Sequence, residues 1–344
     1  VPRRVDFQLS DRAGRLSGVR LVQEIGLPGP LDFRREAGVW RLSVELPDVL
    51  RMEYLFEVTD RHGTRTITDP ANPLRAPGAF GEKSVLELDG YVAPAWLDAP
   101  TVDGDYSDEL ELDAPLLDHP VPLSVWSPSQ LPAGEPAPLL LVHDGPEFDR
   151  LGGLTTYLAA AIAAGTLPPV RAALLAPTDR DGWYAANDRY AQTVADVVLP
   201  RLDELAPATA RVGVGVSLGA LAMLHLQRRH PAAVQGLFLQ SGSFFTPRLD
   251  PQERRFSGFS AVTEFVASVH AAAPDPSAVP AVLTCGTVEE NRANNEAMAT
   301  TLLRLGYPSR LVLVPDAHNY TAWRDALDPQ LTQLVHDVVC ARAA

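Results

Sequence analysis

Cysteine is almost absent from this chain: Cys285 and Cys340 are the only two among 344 residues. A disulfide-stapled scaffold is excluded, and both thiols fall in runs that read as an apolar strand and a terminal helix. They are expected to be small buried residues, compatible with a reducing, cytoplasmic setting. Long apolar runs are also missing. No stretch approaches the roughly 18 residues of a membrane span, and the opening Val1-Pro2-Arg3-Arg4 has no apolar signal core. Basic charge is in deficit, 29 Lys and Arg against 43 Asp and Glu, for a formal net charge of −14. That argues against a nucleic-acid partner, although a few local Arg could still hold an anion. The eight histidines show no ligand spacing such as H-x-x-x-H, so no metal and no other cofactor is expected. What remains is 46% hydrophobic and 21% charged, with enough apolar material for one large domain or two. A monomer or homodimer acting on a small molecule is the expectation, with no membrane partner.

Residues 5–9, 19–22, 39–46, 52–58 and 85–88 alternate apolar and polar with period two, separated by Gly, Pro and Asp. This predicts a small all-β sandwich over residues 1–95. Residues 96–107 are rich in Pro, Ala, Asp and Gly and read as a linker, with Trp96 docked on a neighbour. From 108 to 344 the grammar changes. Continuous apolar runs at 139–142, 172–176, 236–240, 281–285 and 310–314 alternate with helix-forming stretches. The expected fold class is therefore α/β, a doubly wound and mainly parallel sheet covered on both faces, with ligands at the carboxyl ends of the strands.

One junction in that sheet carries chemistry. The β-branched and Gly run ending in Gly215-Val216-Ser217-Leu218-Gly219 passes directly into the helix formers 220–227. G-x-S-x-G at a strand-to-helix turn is the context of a nucleophile elbow, with small neighbours allowing the strained turn. Ser217 is the candidate nucleophile, and the following helix aims its N-terminal N–H groups at developing negative charge. A serine of this kind needs a base and an orienting acid, in the chain order Ser, acid, His. His318, four residues beyond the last strand, is the candidate base. Glu289 and Glu290 follow the penultimate strand and are not separated by position alone; Asp316 is a third carboxylate, too local to reach the far imidazole nitrogen.

The oxyanion site needs two N–H donors. Leu218 supplies one as the residue after the nucleophile. The loop His143-Asp144-Gly145-Pro146-Glu147 supplies the other from Gly145 or Glu147, since Pro146 has no N–H. His143 lies too early in the chain to be the base and reads as structural or as lining the site. Trp183, Tyr184, Phe244, Phe245, Tyr320 and Trp323 all fall on strand-end loops and suggest a pocket for an aryl or apolar acyl group.

With these residues in view, nearly the whole chain resembles the enterochelin esterase-like α/β-hydrolases, a group related to esterase D and feruloyl esterases. The likeness rests on Gly215-Val216-Ser217-Leu218-Gly219, Gln240-Ser241-Gly242-Ser243, Gly286-x-x-Glu289 and His318-x-x-x-x-Trp323-Arg324. It implies an immunoglobulin-like early-set sandwich before an α/β-hydrolase domain, a serine esterase activity through an acyl-enzyme, and Glu289 rather than Glu290 as the acid. In siderophore-cleaving members an Arg-x-x-Glu segment helps hold the catecholate. Here Arg180 is kept but Trp183 stands at the Glu position, so the resemblance implies ester hydrolysis more firmly than a siderophore substrate. An acyltransferase of the mycolyl type and a non-catalytic binding protein on a hydrolase scaffold are the alternatives.

Overall fold

The protein is described by a computed structural model over residues 3–343. It divides into two compact units. The smaller comprises the described residues up to Val92 together with Gly286–Glu290 and Leu313–Ala322; the larger comprises Ala93–Cys285, Asn291–Val312 and the remainder from Trp323.

The smaller unit carries β1 (Arg3–Ser10), β2 (Leu16–Gln23), β3 (Arg34–Glu36), β4 (Val39–Leu46), β5 (Arg51–Asp60), β6 (Gly63–Ile67), β7 (Arg75–Ala76) and β8 (Lys83–Glu87). They form two antiparallel sheets, one in the order β1-β4-β3, the other β2-β5-β8-β7 with β6 also on β5. Period-two alternation sends Phe7, Leu9, Trp40 and Leu46 from the first sheet, and Val19, Leu21, Phe56 and Val58 from the second, into one shared core. Edge-to-face aromatic pairs fill it, Phe7 on Tyr54 at 4.9 Å and Phe33 on Phe56 at 5.1 Å. Ala317 belongs to this same core and Val288 packs against it.

The larger unit is built on β9 (Gly104–Tyr106), β10 (Leu110–Leu112), β11 (Val121–Pro128), β12 (Ala137–Val142), β13 (Arg171–Leu175), β14 (Ala208–Val216), β15 (Gly236–Gln240), β16 (Ala281–Gly286) and β17 (Ser309–Val314). Their order is β10-β11-β13-β12-β14-β15-β16-β17, with β9 on β11. The pairs β12/β13, β12/β14, β14/β15 and β15/β16 are parallel, while β11 runs antiparallel to its neighbours. This is the expected α/β-hydrolase sheet.

The helices are α1 (Gly145–Gly152), α2 (Leu154–Ala163), α3 (Arg180–Tyr184), α4 (Asp188–Thr193), α5 (Leu199–Leu205), α6 (Leu218–Arg229), α7 (Phe259–Ala271), α8 (Arg292–Arg304), α9 (Tyr320–Asp325) and α10 (Gln330–Ala343). Two strand glycines show the double winding. Gly213 and Gly236 lie on opposite faces, because Val212, not Gly213, is paired with Gly236. A Cβ at Gly213 would overlap Met223 of α6, and one at Gly236 would overlap Val338 of α10. One helix therefore rests on each face, brought close where the side chain is missing.

Two expectations differ from the structure. The composition-based linker 96–107 includes the sheet strand β9, while its Trp96 does dock on a neighbour, buried edge-on against Tyr157 at 5.4 Å. Cys285 is buried as expected, but Cys340 is exposed, on the outer side of α10. No described helix is long and apolar enough to cross a membrane.

Candidate active site

Ser217 joins β14 to α6 with φ 54° and ψ −123°, a region an L-residue rarely occupies. The turn is held on both sides. Ser217 N–H donates to Gln240 O on β15 at 2.8 Å, and its carbonyl accepts from Ala220 N and Ser243 N, both at 3.1 Å. The two motif glycines have steric causes: a Cβ at Gly215 would overlap the Gly219 carbonyl, and one at Gly219 would press on His143 and Asp144 at 3.2 Å. The Ser217 hydroxyl lies 3.3 Å from that of Ser243. Leu218 opens α6, so its N–H has no intrahelical acceptor.

The loop after β12 turns at once into α1. Asp144 sits in the left-handed region, φ 52°, and its N–H donates to the Tyr184 hydroxyl at 3.1 Å. Gly145 is then the first helical N–H of α1 and, like Leu218, lacks an intrahelical acceptor. A side chain there would overlap Leu174 of β13, so glycine lets the helix start this close to the sheet.

His143, read as structural or as lining the site, and Arg180, expected to help hold the substrate, are both occupied by the frame. His143 is fully buried, with Nδ1 2.9 Å from Gly219 O. A carbonyl can only accept, so Nδ1 carries the proton, and Nε2 is left buried with no partner among the described residues. Burial lowers its pKa to about 4 and keeps the ring neutral. It lies against Tyr184, ring centroids 4.6 Å apart. Arg180 makes a two-pronged pair with Asp144, Nε to Oδ1 at 2.9 Å and Nη2 to Oδ2 at 2.8 Å.

The expected aromatic rim is corrected in the same way. Trp183, Tyr184, Phe244 and Phe245 belong to the hydrophobic core, with Trp183 stacked on Tyr190 at 5.5 Å. Trp323 is buried and structural: its Nε1 donates to Ser241 Oγ at 2.9 Å, and its carbonyl accepts from Gln240 Nε2 at 2.9 Å. Tyr320 alone of the six is half-buried. Strand-end position identified where these residues lie along the chain, not which way their side chains turn. Asn295 gave no signal at all, yet it brackets the 240–243 turn, accepting from Gly242 N and donating to Gly242 O, each at 3.0 Å.

The smaller unit brings Glu289 and His318 together. His318 Nδ1 donates to Glu289 Oε2 at 2.9 Å, and Glu289 Oε1 accepts from Gly286 N at 2.7 Å. The Glu289 carboxylate is fully buried, while a third of the His318 side chain is exposed. This fixes the proton on Nδ1 and leaves Nε2 the basic nitrogen. Gly286 explains the spacing of Gly-x-x-Glu, since a Cβ there would overlap the Asp316 carbonyl and the Glu289 side chain. Glu290 is exposed. Asp316 faces away from the imidazole: Oδ2 accepts from Arg51 Nη1 at 2.9 Å and Oδ1 from Ala317 N at 2.8 Å and Asn319 Nδ2 at 3.0 Å.

The family described as "Putative esterase" matches residues 114–334. The chain belongs to this esterase family. Its fold is similar to that of the ferric enterobactin esterase from Salmonella typhimurium, with a TM-score of 0.81 and 21% identity, covering 98% of this chain and 94% of that one. The enterobactin esterase from Shigella flexneri in the presence of enterobactin matches with a TM-score of 0.76 and 21% identity, covering 98% and 93%. The feruloyl esterase module from Clostridium thermocellum complexed with sinapinate matches at 0.52 and 14%, covering 72% and 94%. No curated protein sequence matches significantly. The esterase thus has an α/β-hydrolase fold, and its likeness in fold to the Salmonella typhimurium protein covers nearly the whole chain.

Proposed function

We propose that this esterase is a serine enzyme cleaving a small-molecule carboxylic ester through an acyl-enzyme. The observation that carries the reading is the Glu289–His318 pair, a buried carboxylate holding Nδ1–H, which makes Nε2 the basic nitrogen of the ring. The strained elbow at Ser217 supports it from the other side of the chemistry. Ser217 Oγ attacks the ester carbonyl while His318 Nε2 accepts the hydroxyl proton, and Glu289 stabilises the imidazolium that forms. Leu218 and Gly145 N–H groups receive the carbonyl oxygen as it becomes an oxyanion. The intermediate collapses, His318 returns the proton to the leaving alkoxide, and water repeats the sequence to free the acid.

For the substrate, relatives crystallised with enterobactin and with an aryl acid favour an aryl-bearing ester. Arg180 and Trp183 give no independent support for a catecholate, since one is bound to Asp144 and the other is buried.

Ser217→Ala should lower kcat on a p-nitrophenyl ester by on the order of 10⁶, and a fluorophosphonate should label wild-type protein at Ser217 alone. Wild-type turnover by the alanine variant would sink the assignment. A panel of aryl, alkyl and triscatecholate esters, with and without a polyol acceptor, ranks the substrates and separates hydrolysis from acyl transfer.

A further inference from the structure

The three residues that precede His318 are each held by the β-sandwich. The Pro315 carbonyl accepts from Leu50 N at 2.9 Å, the Asp316 carboxylate from Arg51 Nη1 at 2.9 Å, and Ala317 lies inside the sandwich core. Val288, the residue before Glu289, packs on the same core. Both chemistry-bearing loops of the smaller unit therefore rest on β-strands far away in sequence.

Asp316 is the hub of this arrangement. One oxygen faces Arg51; the other binds its own loop on both sides of His318, at Ala317 N and at Asn319 Nδ2, while Asn319 Oδ1 accepts from Ala322 N at 2.8 Å. A carboxylate tied at one end to a strand and at the other to residues 317 and 319 fixes the backbone from which the imidazole projects. Arg51 is itself fastened. It is only 3% exposed, its Nη2 reaches Glu53 Oε1 at 3.4 Å, and its guanidinium lies over the Tyr91 ring at 5.4 Å. Lys83, partly exposed, sits 3.8 Å from the second Glu53 oxygen and also pairs with Glu24, so Arg51 and Lys83 together face three carboxylates, Asp316, Glu53 and Glu24. Removal from water pushes the Asp316 carboxyl up, and the Arg51 charge opposes that. Apolar packing alone could join loop to sandwich; a charge-assisted hydrogen bond adds direction.

We propose that Arg51 is a positioning residue for His318, acting through Asp316, and that the β-sandwich is a working part of the esterase because it holds the loops of the base and its acid. The proposal rests on His318 being the general base. A loop displaced by about 1 Å can cost about 10²-fold in rate with little effect on binding.

The test is the pair Arg51→Met/Asp316→Asn in the full chain, which removes both charges together and leaves Glu53 with Lys83. Expected is a folded protein whose kcat on a p-nitrophenyl ester falls 10- to 100-fold with KM within about twofold. The downfield His318 Nδ1–H proton resonance should broaden or vanish, and the acid limb of the kcat/KM profile should move. Trp40→Phe, which weakens the sandwich core elsewhere, should lower stability without changing kcat. If the double variant fails to fold, Asp316→Asn alone, which keeps an acceptor for Ala317 and Asn319, is read on the same three measures. Wild-type kcat and an unchanged Nδ1–H signal in the folded variant would overturn the proposal. A fully active His318→Gln would instead overturn the reading of the base.

Discussion

Replacing Ser217 by Gly should stabilise this protein while abolishing its activity, and Ser217→Ala should not stabilise it. At φ 54° and ψ −123° the Cβ is held in a sparsely populated region, which costs about 1–3 kcal/mol. Both substitutions delete the hydroxyl and its 3.3 Å contact with Ser243, so that loss is common to the two. Only Gly releases the strain, and it gives back about 0.4–1 kcal/mol through the greater freedom of the unfolded chain. The Gly variant should therefore exceed the Ala variant by about 1–2 kcal/mol. The measurement is equilibrium urea denaturation of both variants, with turnover of a p-nitrophenyl ester assayed in parallel. Equal stability, or Ala above Gly, would mean that the elbow stores no strain at Ser217.

Two further expectations follow from the frame around the elbow. Because burial lowers the His143 pKa to about 4 from an unfolded value near 6.5, the unfolded chain binds this proton first as pH falls. Stability is fully present above about pH 6.5 and declines toward pH 4, the His143 share reaching about 2 kcal/mol by pH 5; His143→Gln should flatten the stability–pH slope by that amount, and an unchanged slope would refute it. Arg180→Ala strips the buried Asp144 carboxylate of its two-pronged partner and should cost about 2–3 kcal/mol, less than a fully buried pair because Arg180 is partly exposed. Arg180→Ala/Asp144→Asn should recover most of that, whereas a KM effect with no stability coupling would return Arg180 to a substrate role.

Much of this protein could be read along the chain because its information is local. The switch from period-two alternation to apolar runs separated the sandwich from the parallel sheet, and Gly215-x-Ser217-x-Gly219 located the elbow because a tight turn selects its own small neighbours. Other features depend on where side chains point and on which distant segments meet. Trp183, Tyr184 and Phe244 sit at strand ends in sequence but turn inward, and His143 supports Gly219 with its ring in the core. Glu289 and Glu290 are adjacent in the chain, and only folding puts one on the imidazole and the other in solvent. Arg51 is one more charged residue on an alternating strand until tertiary structure sets it against Asp316, 265 positions away. The sequence by itself determined the elements and the reactive residue types, since backbone geometry and turn sterics act over a few residues. Tertiary structure added the hydrogen bond that joins Glu289, the carboxylate favoured by the Gly286-x-x-Glu289 resemblance, to His318, and it alone decided what holds the loop that carries His318, since buried charges find their partners only through the packed fold.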